Sequence, residues 1–285
     1  MRGVNLKFRY FKFAIVILAL ITPALFAQNG NGAGPAGSTI EEIESEFGSV
    51  PCKDDERLNA VKMLFEKMGA KKEEIIVEKF KNVENVVVKM AGAENSPEKI
   101  VIGAHYDKTE QGCGAVDNWT GIVALAHIYR ALKETMPNKT VVFVAFGKEE
   151  KGLVGSAAMT AGIKKEQAAE YCAMINIDSI GLDRTEVAEN LSSKKLIALS
   201  AKIAKEMNLP FARGYLNGGD SDSTSFINKK IPALTIHALG NNWRQVLHTP
   251  HDQAAKVKME SVFGSYRLAL ALLDHIDKSD CRAFR

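Results

Sequence analysis

Four short apolar runs, at residues 100–104, 141–146, 173–177 and 231–237, are separated by long stretches of helical periodicity, clearest at 118–134, 193–207 and 259–276. A strand without polar alternation is buried on both faces, and a helix between successive strands of this kind covers the sheet. The pattern therefore predicts an α/β fold: a mixed, mainly parallel central sheet with helices on both faces. Two further β-rich runs, at 75–80 and 85–90, precede these four. Ahead of them Leu58, Val61, Leu64, Phe65 and Met68 recur at helical spacing, with Asp54 or Asp55 available to cap the helix and Gly69 to stop it. With 285 residues, of which 46% are hydrophobic, the chain can bury one large core, and no internal repeat divides it.

Sheets of this type place their chemistry beyond the C-terminal ends of the strands. His105 follows the 100–104 run, Glu149 and Glu150 follow 141–146, Asp178 ends 173–177, and His248 lies in the loop after 231–237. Asp117 stands at the expected start of the 118–134 helix, where a simple N-cap is the plainer reading. Five candidate metal ligands, His105, Asp117, Glu150, Asp178 and His248, are thereby brought to one rim. Asp107 is suited to hold the His105 ring from behind. Of the adjacent carboxylates Glu149 and Glu150, one can bind metal while the other moves a proton. Spacing does not decide between His248 and His251. His237 is a further candidate at a strand end, whereas His127 and His275 read as structural or exposed. Carboxylate and imidazole donors suit zinc, and also manganese or cobalt.

The first twelve residues carry Arg2, Lys7, Arg9 and Lys12, and an apolar stretch, Phe13–Ile21, follows before any further charge. This is the pattern of a signal peptide, expected at 1–27, with a small-residue tether at 28–38 and the folded domain at 39–285. The expected location is secreted or periplasmic. An uncleaved leader would instead anchor the domain to a membrane. Cys52, Cys113, Cys172 and Cys281 permit two disulfides in three connectivities, among which the sequence does not choose. A net charge of +3 with no basic cluster interleaved with aromatics argues against a nucleic-acid partner.

In order, His105-x-Asp107, Asp117-Asn118, Glu149-Glu150, Asn176-Ile-Asp178-x-x-Gly181 and His248-Thr-Pro-x-Asp252 resemble the M28 zinc peptidases, the bacterial leucyl-type aminopeptidase family, over about residues 85 to 275. Gly155-Ser156, Ser221-Asp222-x-x-x-Phe226 and Ile231-Pro232 fit the same pattern. The resemblance implies an eight-stranded mixed sheet of the zinc-aminopeptidase type and two zinc ions. Asp117 would bridge them, His105 and Asp178 would complete one site, and Glu150 and His248 the other. Glu149 would be the general base, Asp107 would orient His105, and the substrate would be a peptide or small aminoacyl compound.

The chain departs from that pattern at Ser223, where the family often has His, at Leu247, where an aromatic is common, and at Asp220, where some members carry a substrate-fixing Arg. The expected activity is removal of N-terminal residues from peptides. The alternatives are a glutaminyl cyclase-like zinc acyltransferase on the same scaffold, or a binding protein that has kept the fold.

Overall fold

The computed structural model describes Met1, Gly3 and residues 36–93 and 96–285. The expected leader, apart from Met1 and Gly3, and residues 28–35 of the expected tether lie outside the described residues. Ser38, assigned to the tether by composition, is buried; its amide donates to the Tyr266 hydroxyl at 2.7 Å. Thr39 then caps a short helix, α1 (Ile40–Glu44), in a reciprocal box with Glu42.

Eight strands form one sheet: β1 (Ile75–Lys79), β2 (Glu84–Met90), β3 (Lys99–His105), β4 (Thr140–Phe146), β5 (Tyr171–Ile177), β6 (Thr185–Ala188), β7 (Phe211–Gly214) and β8 (Ala233–His237). Their spatial order is β1-β2-β4-β3-β5-β8-β6-β7. The central four, β4-β3-β5-β8, are mutually parallel; β1 pairs antiparallel with β2, β2 with β4 and β6 with β8, and the edge strand β7 runs parallel to β6. The mixed, mainly parallel expectation holds. β6 and β7 go beyond the expected strands: they have four residues each and no apolar run to announce them.

Side chains alternate across the central strands, so each strand feeds two cores. Ile100, Ile102, Phe143, Ile175 and Ile236 face α2 (Asp54–Lys67), α3 (Thr120–Lys133), α5 (Lys194–Glu206) and α7 (Met259–Asp277). Val101, Val142, Val144 and Met174 face the thinner layer of α4 (Val154–Ala161) and α6 (Ser223–Asn228), where Phe146 meets Phe226 edge-on. No helix among the described residues is long and apolar enough to cross a membrane.

Two helix starts differ from expectation. The N-cap of α2 is Lys53, and the carboxylate of Asp54 turns away to accept from the Lys108 amide at 3.1 Å. Asp117 does not cap α3: it lies in the irregular turn Ala115–Trp119 with φ −115° and ψ 92°, and the regular helix begins at Thr120. The two disulfides join Cys52 to Cys113 and Cys172 to Cys281.

Candidate metal centre

Glu149 and Glu150 follow β4, His105 ends β3, Asp178 follows β5 and His248 lies beyond β8, so the four polar loops come from four adjacent parallel strands. The Asp117 carboxylate sits between them. Its Oδ1 is 3.1 Å from His105 Nε2, which is also 3.5 Å from Asp178 Oδ1. Its Oδ2 is 3.0 Å from His248 Nε2, which is 3.2 Å from Glu150 Oε2. The result is two triads of donor atoms, His105-Asp117-Asp178 and Asp117-Glu150-His248, each spanning no more than 4.8 Å and sharing one carboxylate through its separate oxygens.

The second ring nitrogen of His105 faces the Asp107 carbonyl oxygen at 3.2 Å; donation there leaves Nε2 free as a ligand. The Asp107 carboxylate is farther from the ring, 3.5 Å. Its two oxygens instead accept the backbone amides of Glu149 (2.9 Å) and Glu150 (3.2 Å), fixing the turn that presents both glutamates.

Asp252, the last residue of the His248-Thr-Pro-x-Asp252 motif, accepts the amides of Val116 (2.7 Å) and Asp117 (3.1 Å) and so holds the shared ligand in place. Ser221 donates to Asp178 Oδ2 at 2.5 Å and receives from Asn176 at 2.6 Å. Asn118 accepts from the amides of Gly121 and Ser179, both at 3.0 Å, tying the start of α3 to the loop after Asp178. Apart from the Asn118–Gly121 bond, these links join residues far apart in sequence, and motif spacing carries no sign of them.

Lys148, Ser179 and His248 all have positive φ, 56°, 56° and 60°. Left-handed backbone at three non-glycine residues, each a site residue or its neighbour, is the kind of local strain that a surrounding structure tolerates where it aims side chains. His251 is exposed, so the structure places His248 in the cluster. His127 is buried and its Nδ1 meets Ser38 Oγ at 2.8 Å; His275 is exposed.

Asp107, Asp117, Glu149, Glu150, Asp178, Asp222 and Asp252 crowd this rim, and the electrostatics register the shortage of positive charge. Burial lifts the Glu149 carboxyl well above the ordinary range, with Asp178, Asp222 and Asp117 adding to the effect against the pull of His105. Burial also pushes Asp222 up to about 7 and Asp252 to about 6. Burial opposes a charged His105, yet Glu149 and the carboxylates of Asp107, Asp117 and Asp178 outweigh it and raise the imidazole well above its usual value. Hydrogen bonds to Asp117 and Glu150 raise His248 to about 10. Glu150 Oε1 is buried without a hydrogen-bond partner among the described residues. The donor set fits divalent cations bound by nitrogen and oxygen.

The cluster opens into a cavity of about 670 Å³ walled by Leu216, Leu239, Trp243 and Leu247, with Thr235, His237, Asp220 and Arg244 also lining it. Elsewhere, Glu98 approaches Cys172 and Cys281, but this is not a comparable site, because both sulfurs are in a disulfide.

An α/β sheet with imidazole and carboxylate donors gathered at the ends of its parallel strands is the arrangement of a metal-binding α/β protein. Residues 85–273 match Peptidase family M28, and the chain belongs to that family. Among curated relatives, a "Probable zinc metalloprotease" of Pyrenophora tritici-repentis is 32% identical over 58% of this chain and 39% of its own length. Aminopeptidase YwaD of Bacillus subtilis is 25% identical over 58% of this chain and 38% of its own. The chain spans about a fifth to two fifths of the length of the curated relatives it matches. Among solved structures, the LapA aminopeptidase of Legionella pneumophila superimposes with a TM-score of 0.65 at 22% identity, over 84% of this chain and 68% of that one. A glutaminyl cyclase from an Acidobacteriales bacterium gives 0.71 at 16% identity, over 86% and 98%. At these identities the two structures speak for the fold.

Proposed function

We propose that this chain is an exported, zinc-dependent aminopeptidase that removes N-terminal residues from peptides. The observation that carries the reading is the pair of donor triads sharing the two oxygens of Asp117. The names of the zinc metalloprotease and aminopeptidase relatives supply zinc as the metal and a peptide as the substrate. Two disulfides support an oxidising compartment.

His105, Asp117 and Asp178 would hold one zinc, and Asp117, Glu150 and His248 the other. When bound, the two ions supply Lewis acidity toward a water and toward the scissile carbonyl. The proton is the business of Glu149. Its carboxyl is buried and unusually basic, and it makes no contact in either triad, so it is free to accept a proton from water and return it to the departing amine. Asp107 holds that carboxyl in position through the Glu149 amide. The apolar walls of the adjoining cavity suit the substrate's first side chain.

Glu149→Gln preserves size and both triads while removing the proton acceptor. It should retain bound zinc and fold while losing most turnover, by about 10²-fold or more. Unchanged turnover would place the base elsewhere. The reaction itself is tested by mass spectrometry of the zinc-loaded protein with free, N-acetylated and N-terminal-Gln peptides, with and without chelator. Chelator-sensitive loss of single residues from free peptides alone is the expected result. Loss of ammonia from the Gln peptides would make the protein a cyclase, and no change in any peptide would remove the catalytic reading.

A further inference from the structure

Arg57 belongs to α2, ahead of the segment that matches the family, and its side chain is completely buried. A guanidinium has five N–H donors in a planar fork, and all five are used here on backbone carbonyls. Nε donates to Pro51 at 3.0 Å, Nη1 to Tyr106 and Asp107 at 2.9 and 3.3 Å, and Nη2 to Cys113 and Gly114 at 3.1 and 2.6 Å. The first pair of carbonyls lies directly after His105, and the second directly before the turn that carries Asp117. One side chain therefore grips both loops whose ligands meet in the first triad.

The surroundings are built for that grip. Gly114 has φ 61°, and a Cβ there would stand 2.9 Å from Nη2 and 2.8 Å from the Asp117 carbonyl oxygen. Cys52, five residues before Arg57, is bonded to Cys113 in the same loop, and Asp54 accepts from the Lys108 amide. The guanidinium also lies over the Trp119 ring, 5.5 Å from its centroid. Burial lowers its basicity to about 10, against the opposing pull of Asp117, Asp252, Asp54 and Asp107, so it stays charged at neutral pH.

We propose that Arg57 is a positioning residue of the metal centre, setting the separation of His105 and Asp117 before any cation arrives, so that α2 completes a site whose ligands all lie in the family-matched segment. The cation part of this proposal rests on the metal reading above. The fork is essential to it: a lysine at the same place retains charge but has three donors on one atom, and cannot bridge two loops in the same geometry.

The test compares Arg57→Met and Arg57→Lys with Val61→Ala, a change to a buried apolar residue one turn further along the same helix, which has no side-chain donor to offer a site loop. Two readouts are made on the mature protein: zinc affinity by competition with a chelator, and amide hydrogen exchange of residues 106–119 in the metal-free state. Both Arg57 variants should bind zinc at least about 10-fold more weakly and exchange faster in that segment, while Val61→Ala, at a comparable loss of global stability, should do neither. If Arg57→Met does not fold, Arg57→Lys alone decides. Wild-type affinity and wild-type exchange in Arg57→Lys would overturn the proposal, as would an equal effect from Val61→Ala. Failure of the wild-type protein to bind zinc would instead sink the metal reading, and exchange in the metal-free state would still judge the positioning role.

Discussion

At the scale of single residues, the centre depends on one carboxylate more than on any other. Asp117 alone reaches both triads, so Asp117→Ala should strip or scramble zinc at both positions, as read by metal analysis of the purified protein; unchanged content would contradict sharing. Asp252 acts one step further out. Asp252→Asn keeps the shape but replaces one acceptor oxygen by a donor facing a backbone amide, which should weaken zinc binding roughly 10-fold, about 1.4 kcal/mol, in the same competition titration. The five rim residues could be read from the sequence because each is tied to the end of a recognisable strand or to the approach to a helix. The work of Asp252 and Arg57 could not. Their partners lie about 135 and 50 positions away along the chain, and no local period reports such contacts. Arg57 did leave one trace, since it falls on the same helical stripe as Val61 and Leu64, where a charged residue is out of place.

Individual elements show where patterning suffices. The central strands are continuous apolar runs and are legible to within about two residues, whereas β6 and β7 lie at or next to one edge, are short, and are held by pairing, β6 with β8 and β7 with β6, more than by their own composition. The joint between α3 and the start of the described domain gives a pH prediction. Burial lowers the His127 imidazole to about 4, with Arg130 acting in the same direction. Between the ordinary histidine value of about 6.5 and 4, the unfolded chain takes up a proton that the folded chain resists. The contribution to stability is therefore complete above about pH 6.5 and is lost as pH falls through that window, on the order of 3 kcal/mol at most. Chemical denaturation from pH 7 to 4 should show a shallower loss for His127→Gln than for the wild type. The disulfides separate in the same spirit. Cys172–Cys281 closes 109 residues at the start of β5, the end of the strand away from the metal rim. Removing it should cost roughly 3–5 kcal/mol of stability yet leave zinc affinity unaltered.

For the molecule as a whole, the seven acidic groups on the rim have a consequence outside catalysis. Without a cation they repel one another, and with one they become an attractive well that only the folded chain possesses. Stability then follows mass action: once zinc exceeds its dissociation constant, each further tenfold rise adds about 1.4 kcal/mol for each occupied position. For a domain of this size that is roughly 3–5 °C in melting temperature. Thermal scans across buffered zinc concentrations should trace this slope, and Glu149→Gln, which spares every ligand, should trace it too. The folded population would then rise and fall with the zinc supply around the protein. The rim would thus gauge that supply, and scarcity would deliver the idle protein to proteolysis.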